Sequence, residues 1–481
     1  YLENRCDRYL MYLWIFVCGV LFAFYNAWGI GANDCANSFA TSVGAKVLTL
    51  RQAVVIAAIF EFSGAVLMGS HVTDTVRKSI VSTDIFKHNP GALMYGMLCA
   101  DLSSALWLTA ATYFKYPVST THSIIGAIVG FSLAYGGKDA IVWEKIGLIV
   151  ASWVASPLLA GIIAYSLFWI IHRLVFSKDN SLQRTYYLFP VLTLFTFFIN
   201  TLFIIYKGSP KLDLDELPLW KCMLISMSIG GGMALVTHYF YIPYVKNKIE
   251  KKNSLIITDI IRDNLNNDTQ QINETELDNG ELVIRTKSYI IATSPIQLDN
   301  VCEFQYNKDE SVEYNIKKSK KYVSDLELYK QNTDIEEFHD NAVKIDEDSD
   351  KLCSWLQIIT ACFSSFAHGS NDVANAIAPL ATIFMVYHEG QLLEKSEVPT
   401  WILVVGGVGI TVGLATWGYK IIDRMGRELT KITPSRGFVI ELAAATTVII
   451  ASRAEIPVST THCQVGSIIG CGVTGGIKNI N

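Results

Sequence analysis

Charged residues are scarce in this chain, and their scarcity limits the class of protein before any motif is considered. Only 17% of the 481 residues are Asp, Glu, Lys or Arg, whereas 51% are hydrophobic. A soluble protein of this length would need too large a core, so the composition indicates a membrane protein with several spans. A basic stripe with interleaved aromatic residues is also missing, so we expect no nucleic acid partner.

Two further absences narrow the function. The ten cysteines include no Cys-x-x-Cys pair, and most lie in apolar stretches, so we interpret them as small packing residues rather than a disulfide framework. No nucleophile–base pair and no phosphate-binding glycine loop before a helix is visible. The sequence therefore predicts neither an enzyme nor a cofactor.

Apolar stretches are abundant, and nine of them are candidates to cross roughly 30 Å of hydrocarbon as helices. They cover residues 10–30, 53–69, 91–114, 146–171, 186–206, 222–244, 355–367, 401–421 and 438–452. Because helices satisfy their own backbone hydrogen bonds in lipid, these stretches predict an all-α polytopic membrane protein embedded in a lipid bilayer.

A hexapeptide, Pro-Val-Ser-Thr-Thr-His, occurs twice, at residues 117–122 and 457–462. A second block precedes each copy: Gly-Ala-Asn-Asp-Cys-Ala-Asn-Ser at 31–38 and Gly-Ser-Asn-Asp-Val-Ala-Asn-Ala at 369–376. The aspartate of the block and the serine of the hexapeptide are 85 residues apart in the first half and 87 in the second. Two blocks in one order at almost one separation indicate a duplicated unit.

The duplication divides the chain into segments. We assign residues 1–172 to a first transmembrane repeat, 173–244 to two linking transmembrane helices, and 351–481 to a second repeat that we expect to be incomplete at its C-terminus. Residues 245–350 hold 14 basic and 23 acidic side chains. That segment buries too little apolar surface to offset its ordering entropy, so we expect a mostly disordered loop, and the lysines at its start favour a cytoplasmic location.

The stretches after both acidic blocks and both hexapeptides are short, rich in glycine and partly polar. Lipid tolerates such segments only where protein or a watery cavity surrounds them, so we expect broken helices and re-entrant hairpins. Broken segments at matching places in two halves are typical of a transport site. With the long loop inside, the basic flanks predict that the two repeats are inverted relative to each other.

Asp34 and Asp372 each lie at the end of an apolar stretch with asparagines beside them, among them Asn37 and Asn375. A carboxylate at membrane depth is expensive unless it is paired, and neither block contains a Lys or Arg. Amide oxygens beside the carboxylate would complete the oxygen shell that a small hard cation prefers. The alternative is that these residues only cap helix ends.

In each hexapeptide the proline suits the first turn of a helix, which places the three hydroxyl residues at a helix N-terminus. Free backbone N–H groups, the positive end of the helix dipole and hydroxyl donors together make an anion site. The six candidate residues are Ser119, Thr120, Thr121, Ser459, Thr460 and Thr461. Ordinary helix capping and packing is again the alternative.

Other polar residues in apolar stretches are weaker candidates. Asp101 and Glu441 each lie 16 residues before the proline of a hexapeptide, so they are candidate pathway acids or inter-helix hydrogen-bond partners. Glu61 has no acidic counterpart in the second half. His122 and His462 hold the hairpins or titrate during transport, and their spacing to other Cys and His residues does not indicate zinc.

At these residues the sequence resembles the inorganic phosphate transporter (PiT) family, whose halves carry GANDVANA-like blocks and Pro-Val-Ser-Thr-Thr-His segments. The resemblance covers nearly all of the chain outside residues 245–350. It implies an inverted-repeat homodimer that carries inorganic phosphate with sodium, or with protons as in many bacterial and plant members. By this resemblance the chain is an integral membrane protein, and we expect it in the plasma membrane.

The resemblance also implies roles, residue by residue. Asp34, Asn37, Asp372 and Asn375 would coordinate sodium as a co-substrate, and the six hydroxyl residues would hold phosphate. Cys35, Ser38 and the His368 that precedes the second block depart from the commoner pattern without removing a ligand. A proton-coupled phosphate or sulfate transporter of the same fold stays open, as does a phosphate sensor or surface receptor.

Overall fold

The computed structural model describes residues 2–79, 81, 83–87, 89–206, 217–267, 274–278, 281–285, 290–293, 345–390, 398–427, 431–454 and 456–474. The chain forms two compact units. The larger unit consists of Tyr1–Tyr239 with Asp334–Asn481, and the smaller unit consists of Phe240–Thr333.

The first part of the larger unit is helical throughout its described residues. Its helices are α1 (Leu2–Asn33), α2 (Cys35–Gly44), α3 (Leu50–Ser79), α4 (Thr83–Phe86), α5 (Pro90–Tyr113), α6 (Thr120–Gly136), α7 (Trp143–Ile171), α8 (Ser181–Ile205) and α9 (Leu219–Val236). A 3₁₀ turn (Gly137–Ala140) follows α6, and π-helical turns (His172–Phe176 and Thr237–Tyr241) follow α7 and α9.

The smaller unit begins with one helix, α10 (Ile242–Asn267), and continues with three short strands in an antiparallel sheet of order β1-β2-β3. The strands are β1 (Glu274–Asp278), β2 (Glu281–Arg285) and β3 (Ile290–Thr293). The predicted loop therefore contains ordered elements at its start, whereas most of its remaining length, 294–344, lies outside the described residues.

The second sequence repeat is again helical in its described residues. Its helices are α11 (Glu347–Leu352), α12 (Ser354–Glu389), α13 (Thr400–Trp417), α14 (Tyr419–Arg427), α15 (Pro434–Arg453) and α16 (Thr460–Val473). Asp350, in α11, accepts hydrogen bonds from the Ser435 backbone N–H (2.9 Å) and the Thr433 hydroxyl (3.1 Å), which anchors α11 at the start of α15. Burial raises the pKa of the Asp350 carboxyl, and these hydrogen bonds oppose the rise.

The surface of the larger unit has the apolar character that lipid requires. Eight helical segments within the described residues are long and apolar enough to cross a membrane. On α7, Val154, Leu158 and Ile162 repeat every four residues and are each more than 60% exposed, which forms an apolar stripe on the outer face of that helix. The larger unit is therefore that of an all-α integral membrane protein, as the composition predicts.

Two of the expected helix breaks differ between the repeats. In the first repeat the helix is interrupted at Asp34, where the Asn37 N–H bonds to the Asp34 carbonyl three residues back (2.9 Å). In the second repeat α12 is continuous from Ser354 to Glu389, so the break expected after the second acidic block is absent there. Asp372 and Asn375 make their hydrogen bonds to side chains from inside this continuous helix, so their placement needs no interruption.

Close helix contacts position the polar residues of the larger unit. Helix α3 packs along α12, where Gly64 and Gly369 let the two backbones approach. A Cβ atom on Gly369 would lie 2.2 Å from the Glu61 carbonyl oxygen, and one on Gly64 would lie 2.1 Å from the Phe366 carbonyl oxygen. Only glycine allows this approach, which brings the Glu61 side chain up to α12.

Candidate functional site

The carboxylate of Asp34 lies at the centre of the molecule's buried polar residues, with 1% of its surface exposed. Its Oδ2 accepts a hydrogen bond from Thr120 (2.8 Å), and its Oδ1 accepts hydrogen bonds from Asn37 (2.9 Å) and Thr461. Although Asp34 occupies the position before α2, its side chain caps no backbone N–H. Helix capping therefore does not explain this aspartate.

Asp372 occupies the corresponding place in the second repeat, in the middle of α12 and fully buried. Its Oδ2 accepts a hydrogen bond from Thr460 (2.6 Å), and its Oδ1 accepts from Asn371 (2.8 Å) and Asn375 (3.1 Å). Each aspartate accepts from the asparagine three residues after it and from a threonine of its own repeat, but the third donor is Thr461 at Asp34 and Asn371 at Asp372. A residue in mid-helix caps nothing, so here too the capping alternative fails.

Hydrogen bonds between the repeats join the two halves reciprocally. Asn37 of the first acidic block donates to Thr461 of the second hexapeptide (3.0 Å), and Asn375 of the second block donates to Thr121 of the first (3.1 Å). Thr121 donates in turn to the Val458 carbonyl oxygen (3.1 Å). The two hexapeptides and the two acidic blocks therefore form one cluster, as the duplication predicts.

The first residues of α6 and α16 are built alike. Ser119 and Ser459 each precede a helix and accept a hydrogen bond from the backbone N–H of the histidine three residues later, at 3.2 Å in both cases. Both serines are therefore N-caps, so the capping alternative holds for them. The Ser459 hydroxyl still has its hydrogen to donate to an anion at this helix end, whereas the Ser119 hydroxyl also lies within hydrogen-bond distance of His122 Nδ1.

The two hexapeptide histidines lie next to each other, although they are 340 positions apart in the chain. The ring centroids of His122 and His462 are 4.7 Å apart, and His122 also contacts Trp153 at 3.6 Å. Sequence spacing did not indicate that the two histidines are neighbours, and among the described residues neither belongs to a group of three side chains that could hold a metal ion. His122 Nδ1 lies 2.5 Å from the Ser119 hydroxyl, which fits the hairpin-holding role.

Two cavities adjoin the cluster. The larger has a volume of about 610 Å³ and is lined by Ser119, His122, Thr461 and His462, among others. The smaller, about 10 Å³, lies beside Asn37, His368 and Thr460 and is close to the space that one water molecule needs. Hydroxyls from both repeats thus border a cavity large enough for a small anion.

The electrostatics of the cluster are dominated by two carboxylates held close together. Single ligand atoms of Asp34, Asp372 and His368 all lie within 4.8 Å of one another. At that distance two unit charges repel by about 3.5 kcal/mol at an effective dielectric constant of 20. His368 offsets part of this repulsion, and the rest favours a bound cation.

The other candidate acids are buried in separate polar contacts. Glu441 accepts hydrogen bonds from the hydroxyls of Thr41, Ser42 (2.7 Å) and Thr360 (2.7 Å). Asp101 accepts one, from Asn26 (3.0 Å). Glu441 joins helices of the two repeats, whereas Asp101 joins α5 to α1 within the first repeat. Both acids are fully buried, so neither faces the outer surface.

Sequence reasoning missed the contact that Glu61 makes. Glu61 Oε2 lies 2.8 Å from His368 Nδ1, and Glu61 Oε1 accepts a hydrogen bond from Ser365 (3.0 Å). His368 Nε2 lies 2.8 Å from Asp372 Oδ2, bent away from hydrogen-bond geometry. The contact between His368 and Asp372 could have been found from the sequence, because the two residues are four positions apart and share one helix face. Nothing in the sequence pairs His368 with Glu61.

A buried polar site that is shared by two sequence repeats and enclosed by membrane-length helices is the architecture of a membrane transporter. Comparison with known proteins gives the family. The model of the phosphate transporter family matches residues 30–481, so the chain belongs to this family. Because this is a transport family, the prediction that the chain is not an enzyme is confirmed.

Relatives and a solved structure support the assignment over nearly the whole chain. Sodium-dependent phosphate transporter 1 of Rattus norvegicus is 31% identical over 96% of this chain and 90% of its own length. Inorganic phosphate transporter 2-1, chloroplastic, of Arabidopsis thaliana is 34% identical over 96% of this chain and 66% of its own length. A solved structure entitled "The sodium-dependent phosphate transporter" matches with a TM-score of 0.70 and 31% identity, over 97% of this chain and 91% of that chain.

Proposed function

We propose that this chain is a secondary active symporter that carries inorganic phosphate together with sodium, and that Asp34 and Asp372 hold the sodium ions. One observation carries the proposal: two buried carboxylates, one from each repeat, lie within 4.8 Å of each other beside hydroxyl-bearing helix N-termini. Cations between the carboxylates would cancel their mutual repulsion and would allow an anion to enter the same low-dielectric region.

Asn37 and Asn375 are the proposed amide ligands of these cations. Asn37 Oδ1 is buried and accepts no hydrogen bond from the described residues, and Asn37 lines the small cavity beside His368 and Thr460. An amide oxygen without a donor next to a water-sized space matches the oxygen ligands that a small hard cation takes. This supports sodium binding beside the Asp34 carboxylate, with Asn375 in the equivalent position beside Asp372.

Phosphate would bind at the N-termini of α6 and α16, where Ser119, Thr120, Thr121, Ser459, Thr460 and Thr461 supply hydroxyls. The larger cavity reaches Ser119 and Thr461, one from each hexapeptide. Two helix N-termini present free backbone N–H groups to one anion, and hydroxyls hold it less tightly than arginine pairs would. Weak ligands suit a carrier, because a carrier must release its cargo.

The hydroxyl contacts suggest how the two cargoes are coupled. Thr120 and Thr461 donate their hydrogens to Asp34, and Thr460 donates to Asp372. A sodium ion on these carboxylates competes for the same oxygen lone pairs and so frees the hydroxyl hydrogens to point at phosphate. Sodium binding would therefore create the phosphate site, and phosphate would stabilise the bound sodium in return.

The finer topology belongs to the same proposal. The reciprocal Asn37–Thr461 and Asn375–Thr121 contacts support a two-fold relation between the repeats, and we place them inverted in the membrane. We also propose a cytoplasmic location for residues 245–350, a plasma-membrane location for the protein and a homodimer in the bilayer. The basic flank of that segment supports its location, and the family resemblance supports the dimer.

The test is uptake of labelled phosphate into liposomes that contain only this protein. We expect uptake driven by an inward sodium gradient and a loss of uptake when choline replaces sodium at fixed pH. Uptake that persists in choline and follows an imposed pH gradient would instead assign proton coupling. An absence of uptake under every gradient would leave only a sensor or receptor function.

A further inference from the structure

Asn26 and Asp101 form a polar contact that the proposed transport site does not use. Asn26 lies on α1 and Asp101 on α5, and neither side chain is exposed. Asn26 Nδ2 donates to Asp101 Oδ1 (3.0 Å) and to the Asn375 backbone oxygen (3.2 Å). Since both partners are acceptors, they fix the orientation of the amide and use both of its hydrogens.

Three buried oxygen atoms remain on these two residues and on Ser104, one turn further along α5. Asn26 Oδ1, Asp101 Oδ2 and Ser104 Oγ make no hydrogen bond with the part of the chain that the structure describes. Ser104 follows Asp101 by three residues, so the two side chains share one face of α5. The first two atoms of this Asn26–Asp101–Ser104 cluster are acceptors only, so another acceptor would not satisfy them.

The hydroxyl of Ser104 is unusual for its helix. Ser103 donates to the Ala100 carbonyl oxygen (3.1 Å), Thr109 to that of Ala105 (2.8 Å) and Thr112 to that of Leu108 (2.7 Å). These bonds to the preceding turn are the usual way to satisfy a hydroxyl in an apolar helix. Ser104 makes no such bond, although it is 2% exposed. Its hydroxyl is therefore left for a ligand.

The acid at the matching position of the second repeat behaves differently. Glu441 accepts hydrogen bonds from three hydroxyls, those of Thr41, Ser42 and Thr360. Asp101 accepts a single hydrogen bond, and among the described residues no Lys, Arg or His forms an ion pair with it. A buried carboxylate with one donor and no counter-charge is several kcal/mol too costly to persist alone.

We propose that Asn26 Oδ1, Asp101 Oδ2 and Ser104 Oγ bind a sodium ion, in addition to the sodium held by Asp34 and Asp372. One carboxylate with amide and hydroxyl oxygens suits a univalent hard cation. The site communicates with the transport site through Asn26, whose second hydrogen bond goes to the backbone of Asn375. The inference rests on the proposed function, because sodium coupling supplies the ion.

The experiment counts sodium ions per phosphate in liposomes, from the membrane potential that stops net phosphate flux at known gradients. The variants are Asp101→Asn and Ser104→Ala, and Ser103→Ala is the matched control because its hydroxyl bonds to its own helix. Both test variants should carry one sodium fewer per phosphate than the native protein, or need at least about tenfold more sodium for half-maximal uptake. Loss of even an outer-shell partner weakens metal binding about 10- to 100-fold.

The outcomes are distinguishable. Native sodium counts and native half-saturation in both test variants would overturn the additional site and leave the proposed function intact. A native protein whose uptake requires no sodium would overturn the proposed function and this inference together. A third outcome is that Asp101→Asn keeps the native sodium count but no longer releases a proton when phosphate binds. That result would assign a proton to Asp101 and overturn the sodium assignment.

Discussion

The substitution Asp34→Asn should remove the response of this protein to sodium while leaving the fold intact. Asparagine has the shape of aspartate, and its Oδ1 can still accept the hydrogen bonds from Asn37 and Thr461. Only the bond from Thr120 to Oδ2 loses its acceptor, at a cost of about 1 kcal/mol. Removing one of two charges within 4.8 Å relieves up to about 3.5 kcal/mol of repulsion, and the simultaneous loss of the attraction to His368 reduces that relief, so gain and loss nearly balance.

The variant should therefore melt at nearly the temperature of the native protein in potassium or choline. In sodium at 100 times its dissociation constant, the native protein gains about 2.7 kcal/mol from binding a single ion, and the variant should gain far less. Thermal unfolding of purified protein with and without sodium measures this difference. Sodium-driven phosphate uptake into liposomes should be lost in parallel.

Asp350→Asn is the matched control. Asp350 is also a buried aspartate with hydroxyl and backbone donors, but it lies in α11, beside the start of α15 and away from the cluster. Its substitution should change the melting temperature equally with and without sodium and should spare coupling. If Asp34→Asn keeps full sodium-driven uptake, or melts with the sodium response of the native protein, Asp34 is not a cation ligand and the reasoning fails.

Two further substitutions test other parts of the account. Thr461→Val removes the hydroxyl that bonds to Asp34 and Asn37, and it should weaken phosphate uptake about tenfold or more. Thr461→Ser keeps a hydroxyl and should retain most of the uptake. Equal activity of the two variants would contradict the role of the hydroxyl. Gly31→Ala would place a Cβ atom 1.8 Å from the Ile410 carbonyl oxygen and should abolish folded protein in a detergent-stability assay. As a control, the added Cβ of Gly130→Ala meets nothing within 4 Å, so this variant should fold normally. Folding of both variants would refute the close contact between α1 and α13.

The contact between the two repeats could be predicted because both motifs occur twice in the sequence. The duplicated hexapeptide and acidic block required that any site built by one repeat recur in the other. Thr461 bonded to Asp34, and Asn375 bonded to Thr121, are the contacts that this duplication implies. Burial of all ten proposed ligands follows from their place at the ends of apolar stretches.

The asymmetry between the repeats could not be predicted in the same way. The helix is interrupted at Asp34 but continuous through Asp372, and only Asp372 has a histidine, His368, one turn before it. The partner of that histidine, Glu61, lies 307 residues away, and the approach of α3 to α12 that joins them depends on two glycines. Periodicity within one segment carries no information about such a pairing.

The contact between Asn26 and Asp101 shows the same limit. The distance of Asp101 from the hexapeptide indicated a candidate residue. No pattern indicated Asn26, which lies within an apolar stretch on another helix. Nor does the matching spacing of Asp101 and Glu441 predict their different surroundings, since those depend on the hydroxyls that other helices bring. Equivalent positions in a duplicated chain therefore do not imply equivalent chemistry.

Residues from both repeats should bind one shared cargo. A structure of the protein in sodium phosphate, compared with one in potassium chloride, would show whether they do. We expect phosphate in contact with hydroxyls of both hexapeptides and sodium at the carboxylates of Asp34 and Asp372. Phosphate held by one hexapeptide alone, or sodium bound away from both aspartates, would contradict it.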